Sequence, residues 1–133
     1  MGNTERRYGE MEEKKIKVVV AEPGKEAYTT EIDTGLESLQ KAVGGFIECF
    51  YPYDDCIIVC NEEGKLDGSK PCRAIRDEDG TVIELMYGTF FICGSSDDEF
   101  ESLSDELIEK YTAMFYAPET FIMFNGRLAI IQA

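Results

Sequence analysis

Among its 133 residues the chain has no histidine and no tryptophan. Without imidazole it lacks the usual general base near neutral pH and the commonest metal ligand. Ser–His and Cys–His nucleophilic machinery, zinc sites with imidazole ligands and His-based proton shuttles are thereby excluded. Cysteine is present but unpatterned: residues 49, 56, 60, 72 and 93 are an odd set at irregular spacing, with no Cys-x-x-Cys. Cys49, Cys56, Cys60 and Cys93 fall in apolar, strand-like runs, so the expectation is free, buried thiols in a reducing compartment. No apolar run approaches the ~20 residues of a membrane span. The opening MGNTERRYGE lacks the apolar core of a signal peptide, and a cytoplasmic location is expected. Arg6 stands where a myristoylation start needs Ser or Thr, which removes that reading.

Bases are scarce too. Lys and Arg total 13 against 27 Asp and Glu, for a net charge of −14. Residues 1–15 hold Glu5, Glu10, Glu12 and Glu13 against Arg6, Arg7, Lys14 and Lys15, so a neutral, flexible tail is expected there and the whole charge sits on residues 16–133. Such a field repels nucleic acid and anionic membranes and favours basic partners. What the chain does have is enough apolar material, 44% with eight Phe and seven Tyr, to fold as one domain with a single core.

Periodicity and turn chemistry place the elements. IKVVVAE (16–22) and AYTTEI (27–32) flank Pro23-Gly24-Lys25 and read as a hairpin. Thr34 with Glu37 forms a capping box, opening a helix over about 34–43 that carries Leu36, Leu39 and Val43 on one face and stops at Gly44-Gly45. FIECFY (46–51) and CIIVCNE (56–62) read as a strand pair. Residues 64–80 read as a loop holding Lys65, Lys70, Arg73 and Arg76, with a short helical turn around Cys72–Ile75. The run 81–94 is too long for one exposed strand, and Gly88 marks a bulge, bend or turn. A helix over about 105–115 has Ser104 as its N-cap and Leu107, Ile108, Tyr111, Met114 and Phe115 as its buried stripe. FIMF and RLAIIQ bracket Asn125-Gly126, a type I′ hairpin signal over 121–132. The whole predicts a single α+β domain, a mostly antiparallel sheet of roughly five to eight strands in hairpins with two helices.

No motif reaches the specificity of an active site. The acidic stretch of Asp97, Asp98, Glu99, Glu101, Asp105, Glu106 and Glu109 fails as a calcium loop, because Ser102 stands where Gly is needed. It reads as a solvated loop and helix start, or as a surface imitating a phosphate backbone toward a basic protein. Asp77-Glu78-Asp79-Gly80 is a turn, and Glu22–Glu26 lacks the spacing of a phosphate-binding loop. Ser38 and Lys41 share the Ser-x-x-Lys spacing without its companion motifs. Cys72 beside Arg73 is the one polar pair of interest, since a nearby guanidinium lowers a thiol pKa. With Tyr87 the pair defines a candidate pocket in which Arg73 would meet an anionic ligand group. No metal ligand set and no cofactor motif is evident. Tyr51, Tyr53, Tyr87, Tyr111 and Tyr116 read mainly as packing.

The order VVVAEPGKE, LESLQKAVGGFIECFYPYDD, IIVCNEEGKL, GTFFICG and SLSDELIEKY, over about 16–115, resembles an uncharacterised family, domain of unknown function 3846. The resemblance implies a small protein of phages, plasmids and conjugative elements and their bacterial hosts, with no activity to carry over. The family pattern has Asn-Arg where this chain has Cys72-Arg73, and the hairpin 121–132 lies beyond the usual domain. The expectation is a non-enzymatic accessory protein that binds another protein through the acidic stretch, with a host nucleic-acid-binding or defence protein as the narrower partner. The alternative is a ligand pocket at Cys72, Arg73 and Tyr87.

Overall fold

The apolar runs around Val18, Ile58 and Ile92 form the middle of one sheet whose two faces are both covered. The computed structural model describes residues 14–131. In it β1 (Lys15–Ala21), β7 (Phe90–Ser96) and β4 (Ile57–Asn61) lie side by side, with β2 (Tyr28–Asp33) outside β1 and β3 (Ile47–Phe50) outside β4. The order β2-β1-β7-β4-β3 is antiparallel at every step, and a short β8 (Glu99–Glu101) extends the end of β7.

Strand alternation splits the core in two. Val18, Val20, Val59, Phe91 and Cys93 point to one face, where Leu39 and Val43 of α1 (Leu36–Val43) cover them. Val19, Ala21, Ile58, Phe90 and Ile92 point to the other, beneath Tyr111 and Phe115 of α2 (Asp105–Phe115) and beneath Cys72, Ile75 and Met86. The last three come from β5 (Pro71–Arg76) and β6 (Val82–Tyr87), a separate antiparallel pair laid over the sheet. Burial on both faces is why these strands read as unbroken apolar runs. A further pair, β9 (Thr120–Phe124) and β10 (Arg127–Ile131), follows α2. The result among the described residues is an α+β fold with two helices and mostly antiparallel sheet, as expected, but with ten strands rather than five to eight.

Three local expectations change. The expected tail falls outside the described residues for 1–13, but Lys15 opens β1 and Lys14 bonds to Thr34, so those two belong to the fold. α1 starts one residue later than expected: its N-cap is Gly35 rather than Thr34, without a side-chain cap bond. Thr34 is still in register with the strand ladder, its N–H bonding Lys14 O at 2.9 Å and its hydroxyl accepting from Lys14 N–H at 3.0 Å. The helical turn around Cys72–Ile75 is strand β5, buried through all four positions and bulged on both sides of them. Bulges and two-sided burial erase the alternation that would have announced it. Gly88, at φ +80, is the break inside 81–94: it sends β6 and β7 into different sheets, a conformation L residues resist. The α2 cap holds as expected, Ser104 Oγ accepting from Leu107 N–H at 3.2 Å, although Met114 stays exposed. The Asn125-Gly126 turn has both φ positive, 53° and 75°, as type I′ requires. Residue 132 of that expected hairpin lies outside the described residues.

Candidate functional site

Arg73 sits on β5 and is only 1% exposed. Its guanidinium donates to four backbone carbonyls: Nε to Phe115 O, Nη1 to Glu22 O and Cys72 O, and Nη2 to Lys25 O. One side chain thus ties the β1–β2 turn to the last turn of α2, where a cation also meets the negative end of the helix dipole. Cys72 beside it is fully buried, and burial pushes its thiol up to about 12 although Arg73 pulls the other way. The exposed, activated thiol expected from the sequence is therefore not what the fold builds. Cys72 and Arg73 are core residues, while Tyr87, opposite Pro71 at the end of β6, lines a groove that neither of them lines.

No other described thiol is tuned toward ionisation: burial raises Cys49 and Cys56, and raises Cys60 to about 11 and Cys93 to about 12. A second polar cluster joins the β3–β4 loop to α2. Tyr111 O–H donates to Asp55, whose other oxygen accepts from Lys110 Nζ at 3.0 Å. The Tyr111 hydrogen bond, then Lys110, hold the Asp55 carboxyl below its usual range, while burial and Asp55 push Tyr111 up. Tyr53 stacks on Tyr111 with ring centroids 5.7 Å apart and donates to Arg76 O at 2.9 Å. Every donor here has its acceptor, so the cluster pins α2 to the loop. Among the described residues no grouping of three or more Cys, Asp or Glu could hold a metal ion, and no helix is long and apolar enough to cross a membrane.

The seven acids of the expected contact surface are spread over three elements. Asp97 and Asp98 make the β7–β8 turn with φ of 51° and 65°, Glu99 and Glu101 lie on β8, and Asp105, Glu106 and Glu109 lie on α2. Lys14 Nζ draws on Glu101 at 2.7 Å and Glu99 at 3.7 Å, and Lys17 Nζ on Asp105 at 3.9 Å, so part of this charge is answered by β1 and the residue before it.

One feature went unseen in the sequence, and a second was seen only as a hairpin, without its exposure. The first is a groove of about 360 Å³ between β3 and β6, floored by Phe50, Cys60 and Met86 and walled by Leu66 and Tyr87, with the Lys65–Glu84 ion pair at its rim. The second is the β9–β10 pair, which we call the arm. Its cross-strand register puts Ile122, Phe124, Ala129 and Ile131 on one face together with Thr120 and Arg127, and Phe121, Met123, Leu128 and Ile130 on the other, so one face is apolar throughout and the other mostly so. Met123 is 66% and Phe124 62% exposed, and Ile122 and Ile131 are exposed as well. At its root, Glu119 accepts from Ala74 N–H at 2.7 Å and from Arg76 Nη2 at 2.9 Å, fastening the arm to β5. The signal for the arm was present as the hairpin pattern, but hydrophobicity alone does not tell whether a strand is covered.

The profile of the family described as Domain of unknown function (DUF3846) matches residues 16–116, and the chain belongs to that family. The match ends at the C-cap of α2, before the arm. No curated protein and no solved structure matches the chain.

Proposed function

We propose that this member of the family acts by binding protein, and that the arm is the element that makes the contact. The observation that carries the reading is an appended two-stranded sheet, outside the family domain, with apolar side chains on both faces and exposed Ile122, Met123 and Phe124. A lone two-stranded hairpin is marginal in water, and contiguous exposed apolar surface marks interaction sites. Covering a side chain the size of Met or Phe contributes about 1.5–3 kcal/mol, so a partner gains several kcal/mol from these residues alone.

The acidic stretch enters the proposal as a flanking surface. Asp97, Asp98, Glu99, Glu101, Asp105, Glu106 and Glu109 favour a basic partner, in a contact that salt weakens. The narrower setting, a cytoplasmic accessory protein of a phage or mobile element meeting a host nucleic-acid-binding or defence protein, rests on this charge and on the resemblance together.

The test compares the full-length chain with a Met123→Asp/Phe124→Asp variant as bait, in lysate and with an untagged copy of the chain present. Both positions are exposed, so equal melting temperatures are expected. A polypeptide held in stoichiometric amount by the parent and lost by the variant supports the reading. Equal retention by both would sink it.

A further inference from the structure

We infer that the groove between β3 and β6 is a binding site for a small organic cation, an ammonium or guanidinium group carried on an apolar body of about one ring. The inference stands apart from the arm and adds a ligand site to a protein that binds protein.

Strand register builds the floor. Glu48 and Phe50 of β3 lie opposite Cys60 and Ile58 of β4, and cross-strand partners share a face. That face is the one over which β5 and β6 are laid, so Phe50 and Cys60 pack on the same side of the sheet as Met86, and these three supply the apolar base. The same register puts the Glu48 side chain on that face, next to the base. β6 contributes the opposite wall: Glu84 stands across from Ile75 and two residues before Met86, and so faces the sheet as they do. Two carboxylates from different elements therefore overlook one apolar floor. Burial first, and then Glu48 and Glu84 among the neighbouring groups, push the Cys60 thiol up to about 11, so both charges are felt there.

Shape selects a small molecule. After β4 the chain turns so that Gly64 meets the end of β6, where a Cβ on it would lie 2.6 Å from Tyr87 O. That contact closes the groove at the Tyr87 end, which makes it a pocket rather than a track for an extended strand. Its 360 Å³ lies at the small end of ligand sites, which run from about 300 to 1,000 Å³.

Charge selects the sign. The rim carries Glu48, Glu62, Glu63 and Glu84 against Lys65. Lys65 is taken by Glu84, with Nζ 2.6 Å from the carboxylate, while Glu48 forms no ion pair among the described residues. An anionic ligand meets like charges here, and a neutral one leaves Glu48 unanswered. A cation with an apolar body satisfies both parts of the pocket: the body covers Phe50, Cys60 and Met86, and the charge pairs with Glu48.

The test titrates the full-length chain with phenethylammonium, its neutral counterpart phenethyl alcohol and the anion phenylpropionate, followed by amide chemical shifts in NMR. The cation is expected to bind in the millimolar range, the ordinary strength for about ten non-hydrogen atoms, and to move the amides of Glu48, Cys60 and Tyr87. The alcohol is expected to bind about fivefold more weakly and the anion not at all. Two variants at exposed positions should shift the affinity in opposite directions. Glu48→Gln, which keeps the shape, is expected to weaken the cation about fivefold, and Lys65→Met, which frees Glu84, to tighten it about threefold. Glu31→Gln, an equal loss of charge on β2 at the far edge of the sheet, is expected to change nothing.

No amide shift with the cation, equal binding of the alcohol, or equal effects of Glu48→Gln and Glu31→Gln would each overturn the assignment. So would a Lys65→Met variant that fails to tighten the cation. If the basic peptide acetyl-Ala-Lys-Phe-Ala-amide moves these amides and phenethylammonium does not, the small molecule is overturned as the occupant.

Discussion

Replacing Arg73 by Met tests whether this residue is a structural clasp or a ligand-binding group. Methionine keeps an apolar stem of comparable length and removes the guanidinium, so little cavity is created. Four carbonyls lose their donor. Those of Glu22 and Lys25 lie at the β1–β2 turn, where water can replace the arginine. Those of Phe115 and Cys72 belong to fully or nearly buried residues and are left without a partner. A hydrogen bond from a charged donor contributes about 1.5–3 kcal/mol, so the two buried acceptors put the gross loss at about 3–6 kcal/mol. Removing a buried charge returns its desolvation cost in part, which brings the net destabilisation to about 2–4 kcal/mol. Against a total stability of roughly 5–15 kcal/mol this is large. At about 3–5 °C per kcal/mol for a chain of this size, the melting temperature falls by about 6–20 °C. Arg73→Lys should lie between, since one ammonium cannot reach carbonyls on both sides. The assay is thermal unfolding by circular dichroism, with amide exchange of the last turn of α2 and of residues 22–27 to localise the effect. A residue kept for an anionic ligand would cost little when neutralised, or stabilise the free protein. A change within about 2 °C would therefore refute the reasoning.

Other outcomes follow from the same contacts. In the native protein a thiol reagent near pH 8 should label Cys49, the half-buried cysteine, first, and Cys72 and Cys93, both held at about 12, only on unfolding; labelling of Cys72 as fast as Cys49 would mean that β5 is open. Asp55 is held below its ordinary value by Tyr111 and Lys110, so its contribution is present above the unfolded carboxylate pKa near 4 and is lost as pH falls through the lower folded value. Asp55→Asn should therefore melt lower than the parent at pH 7, and the gap should narrow below about pH 4; a gap constant with pH contradicts the assignment. Ser104→Ala should cost about 1 kcal/mol through the α2 N-cap, read from denaturant midpoints at unchanged slope. Glu119→Ala should raise exchange at the Ala74 amide and loosen the arm's root, while Glu119→Gln, which still accepts from that amide, should protect it.

Much of this fold was legible because its turns speak for themselves. Pro23-Gly24, Gly44 and Asn125-Gly126 each mark a boundary the structure keeps, and the Ser104 cap starts α2 where the sequence says it should. β5 was hidden by its own burial: Cys72 to Ile75 face packed neighbours throughout and are bulged at both ends, so no period of two survives. β8 is three residues of an acidic stretch and carries no strand signal of its own. The polar pair at Cys72 and Arg73 was visible as a pair but not as a clasp, because Phe115, Glu22 and Lys25 lie 42 to 51 residues away in the chain. The arm is the converse case. Its strands and turn were plain, yet FIMF and RLAII look like core, and only the fold shows that the core was already complete without them.

Glu119 gives that separation a lasting consequence. Among the described residues, the Glu119 carboxylate carries the hydrogen bonds that fasten the following strands to β5, so the exposed positions of residues 120–131 can be rewritten with little demand on the packing behind them. Most interaction surfaces are carved from residues that also hold a protein together, and each change of partner is taxed by stability. Here the two duties fall on different stretches of chain, and a lineage could redirect what this protein meets by altering a dozen positions while the body that carries them stays as it is.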